Sequence, residues 1–171
     1  MQAASAPPLG VGTYLLDSRV PEQSIAIKGN PYRESYELPK KSAKAISDSM
    51  LGDINASFRG FFGAVNGEIA EITLTYDALP FALAKRKLDK IHGVGKTKLL
   101  SGEAACNNVQ ITEWKGKDSK LLLAVISPEL NKKGKAYTML YLRSQKLYGE
   151  YKRRVDKAFA DSESECRSQE W

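Results

Sequence analysis

The run Gly93-Val-Gly-Lys-Thr97 comes nearest, in this chain, to a known chemical device: the glycine-rich loop that cradles phosphates with backbone amides and closes on Gly-Lys-Thr. A complete loop of that kind needs another glycine at position 90, which is Lys90, and it follows a strand, whereas this run follows a helical pattern. It therefore reads as a helix C-cap followed by a loop. Nucleophilic catalysis has one histidine to work with, His92, so a Ser–His or Cys–His arrangement must bring Ser101, Cys106 or another hydroxyl to it. At a helix end an imidazole favours the dipole without any catalytic role. Two cysteines 60 positions apart, one histidine and no clustered carboxylates make a poor metal site. No spacing marks a pair of hydrolytic carboxylates. The residues point to no catalytic group, no cofactor and no metal, and the reading is of a non-enzymatic protein, with a small hydrolase as the least favoured alternative.

Charge offers more. The net +6 is uneven: residues 1–80 carry a net −2, 81–100 a net +5, 115–157 a net +8 and the stretch from 158 onward a net −3. Such a field favours acidic partners, whether a protein, an envelope component or nucleic acid. The late basic region interleaves lysines and arginines with Tyr137, Tyr141, Tyr148 and Tyr151, the combination that holds nucleic acid by stacking and phosphate contact. Helical spacing puts Tyr148 and Tyr151 on one stripe with Val155, so they read as core, and nucleic acid is expected to bind only weakly. The expected partner-binding residues are Lys85, Arg86 and Lys90 on one helix, with Lys152, Arg153 and Arg154 on another. If both helices cover one face of a sheet, their outward sides form a single positive plate.

Compartment is read from Cys106 and Cys166. An even count without C-x-x-C spacing, behind a start rich in alanine and proline that looks trimmed, suggests one disulfide in an exported chain whose signal peptide has been removed. That bond would close a loop of about 60 residues, worth roughly 4 kcal/mol by chain entropy. The alternative is two free thiols in a reducing cytosol. The expectation is a periplasmic or secreted bacterial binding protein, an inhibitor or immunity-type partner of an acidic macromolecule. No apolar run approaches the length of a membrane span.

The elements that must position these residues follow from periodicity. Asn66-Gly67 is the preferred pair for a type I′ turn and sits between two β-rich runs, giving a hairpin of 56–65 with 68–76. Ala70, Ile72, Leu74 and Tyr76 alternate with Glu71, Thr73 and Thr75, and keeping Arg59 off the apolar face requires a bulge near Gly60 or Gly63. Phe81, Ala84, Leu88 and Ile91 recur at helical spacing, with Gly93 ending the helix. Strands are expected at 108–114, 120–126 and 136–142, the second apolar on both faces and therefore central. A closing helix begins near Ser144 as N-cap. The fold class is α+β, with a mostly antiparallel sheet of about five strands and two helices in the order β-β-α-β-β-β-α. Residues 1–50 read as an irregular arm with short strands and a helical turn or two near 40–51, and residues 51–171 as the domain.

Overall fold

The computed structural model describes residues 10–11, 14–27, 34–100, 109–126 and 137–160. Its elements are β1 (Gly10–Val11), β2 (Tyr14–Leu15), β3 (Ile25–Ala26), β4 (Glu34–Leu38), α1 (Lys40–Leu51), β5 (Phe58–Val65), β6 (Glu68–Asp77) and α2 (Phe81–His92). They continue as β7 (Lys96–Leu100), β8 (Val109–Lys115), β9 (Ser119–Ile126), β10 (Tyr137–Ser144) and α3 (Tyr148–Ala160). The α+β class holds, but the expected five strands and two helices do not. Eight strands form one sheet in the order β3-β4-β5-β6-β10-β9-β8-β7, every neighbour antiparallel, and the described residues hold three helices. β1 and β2 make a separate ribbon.

The additional elements come from segments read as arm or loop. Ala43, Ile46, Ser47 and Met50 follow the i, i+3, i+4, i+7 spacing of a buried helical stripe, and all four are buried in α1. Ser47 obscures that stripe in the sequence, because it is polar; its hydroxyl accepts a bond of 2.8 Å from the Tyr76 hydroxyl, which satisfies it inside the core. Burial pushes the Tyr76 phenol up to about 12. β4 ends at Leu38, Pro39 follows as the N-cap of α1, and Tyr36 of β4 stacks on Phe62 with ring centroids 5.1 Å apart.

Register explains the two faces. Phe62, Ile72, Leu142, Leu121 and Trp114 are successive cross-strand partners through five strands, and each is buried. Residues directly opposite one another share a face, so this row lies with Ala84 and Leu88 of α2 and Ile46 and Met50 of α1 in one core. Complete burial of each leucine or isoleucine there contributes roughly 2 kcal/mol. The opposite row is Gly63, Glu71, Arg143 and Lys120. α3 covers its Gly63 end, where Val65, Ala70 and Tyr151 pack together. β9 is interior and buried on both faces, as its sequence requires.

The hairpin turn forms with Asn66 at φ 51° and Gly67 at φ 79°. The bulge falls at the Gly63/Ala64 step, where Ala64 pairs with Ile69 and Gly63 with Glu71, so the extra residue is Ala70 on β6. One consequence corrects the alternation read from sequence. Ala70 packs with Tyr151 beneath α3, while Ile72, Leu74 and Tyr76 face the other core.

α2 carries the chain from β6 to the far edge of the sheet, and the β7–β10 meander returns it until β10 pairs with β6. At that seam Arg143 Nε donates to Glu71 Oε2 over 2.6 Å, with both side chains buried. The guanidinium lies 4.2 Å from the Tyr148 ring centroid and 4.9 Å from that of Tyr141. Burial opposes its charge and Glu71 more than offsets this, so its pKa is raised. Burial also drives the Tyr148 phenol up.

α3 approaches so closely that a Cβ on Gly63 would lie 2.3 Å from the Tyr151 ring. Gly63→Ala is expected to lower stability by about 1–3 kcal/mol in urea unfolding, because a ring packed on backbone cannot yield cheaply. Gly149→Ala in α3, where a Cβ meets nothing within 4 Å, is expected to raise it by roughly 0.5–1 kcal/mol. Equal effects at the two glycines would contradict this packing.

Candidate functional site

The six cations singled out by sequence do not share a surface. Lys85, Arg86 and Lys90 belong to α2, whose Ala84 and Leu88 pack on the face covered by α1 and α2. Lys152, Arg153 and Arg154 belong to α3 on the opposite face. The single positive plate therefore does not form.

Their electrostatic surroundings differ as well. Glu150 accepts from Arg153 at 2.6 and 2.8 Å and from Arg154 at 3.0 Å, and these hydrogen bonds hold its carboxyl at about 2. Arg154 also donates to Asn66 of the hairpin turn, and Lys152 lies 3.6 Å from Asp156. Each of these three α3 cations thus has a carboxylate partner, the two arginines sharing Glu150. On α2, Lys85 is half-buried and bound to Asp89 at 2.5 Å, whereas Arg86 and Lys90 are exposed and without an ion pair among the described residues. Lys87 donates to the Leu51 carbonyl over 3.0 Å and so caps the negative end of α1.

α1 supplies what sequence reasoning missed. It shares the α2 face and presents Lys40, Lys41 and Lys44, all exposed. Its buried stripe was the available signal, since these lysines lie off it. Beside α1 the sheet steps: the last β4–β5 partners are Leu38 and Gly60, while β5 begins at Phe58. Phe58 and Arg59 therefore extend past the edge of β4. A groove of about 660 Å³ opens there, lined by Glu37, Leu38, Lys40, Ala43, Lys44 and residues 56–61. Phe58 packs against Tyr76 with centroids 5.2 Å apart, and the Arg59 guanidinium lies 5.8 Å from the Phe61 centroid. Lys44 pairs with Asp48 at 2.8 Å, an exposed contact that water screens. Pro39 offers the amides of the first α1 turn no side-chain acceptor, and no acidic residue follows in that turn. Lys40 and Arg59, which have no ion pair among the described residues, line this groove with Lys44, one carboxylate and two phenylalanines, a lining that suits a ligand carrying negative charge beside an apolar body.

The glycine-rich run has a structural role. Gly93, at φ 85°, ends α2 with its N–H on the Asp89 carbonyl at 2.9 Å, and Lys96 and Thr97 already lie in β7, not in a loop. Asp89 Oδ1 accepts from the Gly95 amide at 2.9 Å and from Trp114 Nε1 at 3.1 Å. Trp114 Nε1 also donates to the Gly93 carbonyl at 2.9 Å. Gly95 is required because a Cβ would come within 2.5 Å of Thr112 and 2.7 Å of Trp114.

His92 is 3% exposed in the last turn of α2. Ser101, Cys106 and Cys166 lie outside the described residues, as does any contact between them. Among the described residues no group of three His, Cys, Asp or Glu side chains comes together as a metal site, and no helix is long and apolar enough to cross a membrane. Comparison with protein-family models, curated proteins and solved structures found no match.

Burial pushes the Asp89 carboxyl up, but the hydrogen bonds from Lys85, Gly95 and Trp114 outweigh it and hold the carboxyl below its ordinary range. A depressed carboxylate contributes stability that is present above its unfolded value of about 3.9 and is lost as pH falls through the folded value. Asp89→Asn is expected to destabilise by about 1 kcal/mol at neutral pH. The gap from the wild type should narrow in acid, as pH-dependent urea titrations would show. A gap that widens in acid would contradict the assignment.

Proposed function

We propose that this chain is an exported, non-enzymatic binding protein that holds an acidic macromolecule, with the groove between α1 and the start of β5 as its seat. One observation carries the reading: Lys40 and Lys44 of α1 and Phe58, Arg59 and Phe61 of β5 line one groove at the step in the sheet, with a single carboxylate, Glu37. An apolar floor supplies burial and the cations supply orientation and on-rate, the division of labour common in protein recognition. Arg86 and Lys90 extend the positive field along the same helical face. An inhibitor or immunity-type partner of an acidic enzyme fits this chemistry. The non-enzymatic part of the reading is supported by the burial of the only histidine and by the capping role of the glycine-rich run.

Charge reversal tests the seat. The Lys40→Glu/Arg59→Glu variant should lose acidic proteins that the wild type retains from an envelope extract at physiological salt, while Arg153→Glu on the opposite face should retain them. Exposed positions tolerate such changes without unfolding, which circular dichroism checks. Equal retention by all three proteins would move the seat elsewhere. Nucleic acid is the alternative partner. Its affinity for duplex should fall with a log–log salt slope of about −0.9 per phosphate contact, so weak, sequence-independent binding that vanishes at moderate salt is expected. Submicromolar, sequence-selective binding at physiological salt would put nucleic acid first.

Export is the part of the proposal that rests on the cysteines. Protein isolated from its native compartment is expected to carry a Cys106–Cys166 bond, giving an intact mass two hydrogens lighter than the reduced chain. Two free thiols would place it in a reducing compartment instead.

A further inference from the structure

We propose that β7 is a second binding surface, an open sheet edge that accepts an extended segment of a partner protein alternating acidic and apolar residues. β7 ends the eight-stranded order, and the described residues place no strand on its outer side. Lys96, Thr97, Lys98 and Leu99 are consecutively exposed, with Leu99 at 66%. The backbone of such an edge presents unpaired donors and acceptors, the template used in recognition by strand addition.

Register sets the chemistry of the guest. Lys96 is opposite Glu113 and Lys98 opposite Ile111, on the face that carries Arg143 and Tyr141. Thr97 is opposite Thr112 and Leu99 opposite Gln110, on the α2 face. A strand added alongside therefore meets two lysines on one face, and a threonine and an exposed leucine on the other. Glu113 serves Lys120 at 3.4 Å, and Lys98 has no carboxylate partner among the described residues. A guest with carboxylates at every second position and apolar side chains between them matches both faces.

A second copy of this chain fits poorly. Antiparallel β7–β7 pairing keeps the same face on the same side, so Lys96 and Lys98 of one copy would lie beside those of the other, and like charges directly opposite destabilise a ladder. The opposite edge, β3, offers only Ile25 and Ala26 and no cation. The acidic specificity therefore belongs to β7, and it does not depend on the groove beside α1.

The test uses the full-length protein and a fluorescent peptide of alternating glutamate and valine, read by anisotropy at low salt. Binding is expected, with a loss of about tenfold for Lys98→Glu and a comparable loss when alternate peptide amides are N-methylated. A lysine–valine peptide should in turn bind the Lys96→Glu/Lys98→Glu variant better than it binds the wild type. That gain of binding reports the edge even if the reversal costs some stability. The proposal is overturned if a block peptide of the same composition binds equally well, if Lys98→Glu binds the original peptide unchanged, or if no binding occurs.

Discussion

The pairing of β6 with β10 is the constraint on which the rest of the molecule depends. Among the described residues it is the only ladder joining β3–β6 to β7–β10, and without it the sheet is two separate pieces, each with an open edge. Its register is specified chemically. With Glu71 opposite Arg143, the buried ion pair forms on the α3 face and the Ile72–Leu142 and Leu74–Leu140 pairs fall on the face covered by α1 and α2. A slip of one residue would turn one strand over relative to the other, driving one of the two charges into the apolar core and leaving the other without its partner. A buried pair of this kind adds little net stability over a well-packed apolar pair, but loss of one partner costs about 3–5 kcal/mol, so it selects register more than it adds strength.

A second link works at longer range. The Asp89 carboxylate holds the end of α2, the amide of Gly95 and the indole of Trp114 in one cluster, and so fixes where the crossing helix delivers the chain to the far edge. Lys87 ties the same helix to the end of α1. Together these bonds set α1 and α2 side by side over one face, and that arrangement creates the cationic helical surface. The groove follows from a mismatch in strand length, since β5 starts before its pairing with β4 begins. The β7 edge follows from the meander, which leaves its first strand with a neighbour on one side only among the described residues.

Charge count and accessible charge diverge in this protein. The late segment has the largest positive sum, yet α3 satisfies its two arginines with Glu150 and Lys152 with Asp156, all within one helix turn. α1 instead leaves Lys40 and Lys41 exposed without an ion pair among the described residues. Electrostatic steering acts through accessible, unpaired cations, which is why a segment sum is a poor guide to where a positive field stands on the surface.

Local signals in the sequence determined the hairpin at Asn66-Gly67, the need for a bulge near Gly60 or Gly63, the helix running from Phe81 to its end at Gly93 and the doubly buried strand over 120–126, because turn stereochemistry and side-chain periodicity act over a few residues; that the extra residue is Ala70 on the second strand came only with the pairing. They also ruled out a phosphate loop at Gly93, through the residue at position 90. α1 was written in the spacing of Ala43, Ile46 and Met50, but Ser47 interrupts that stripe, and its burial becomes acceptable only when Tyr76, 29 residues further on, supplies the hydrogen bond. β7 was hidden because Lys96–Leu99 are exposed and carry no burial pattern; the strand exists through its pairing with β8. Whether α2 and α3 share a face, and hence which cations act together, was decided by tertiary structure alone. Periodicity tells a helix which of its own sides to bury, whereas the side of the sheet it lies on depends on crossover and register, which no local run of residues encodes.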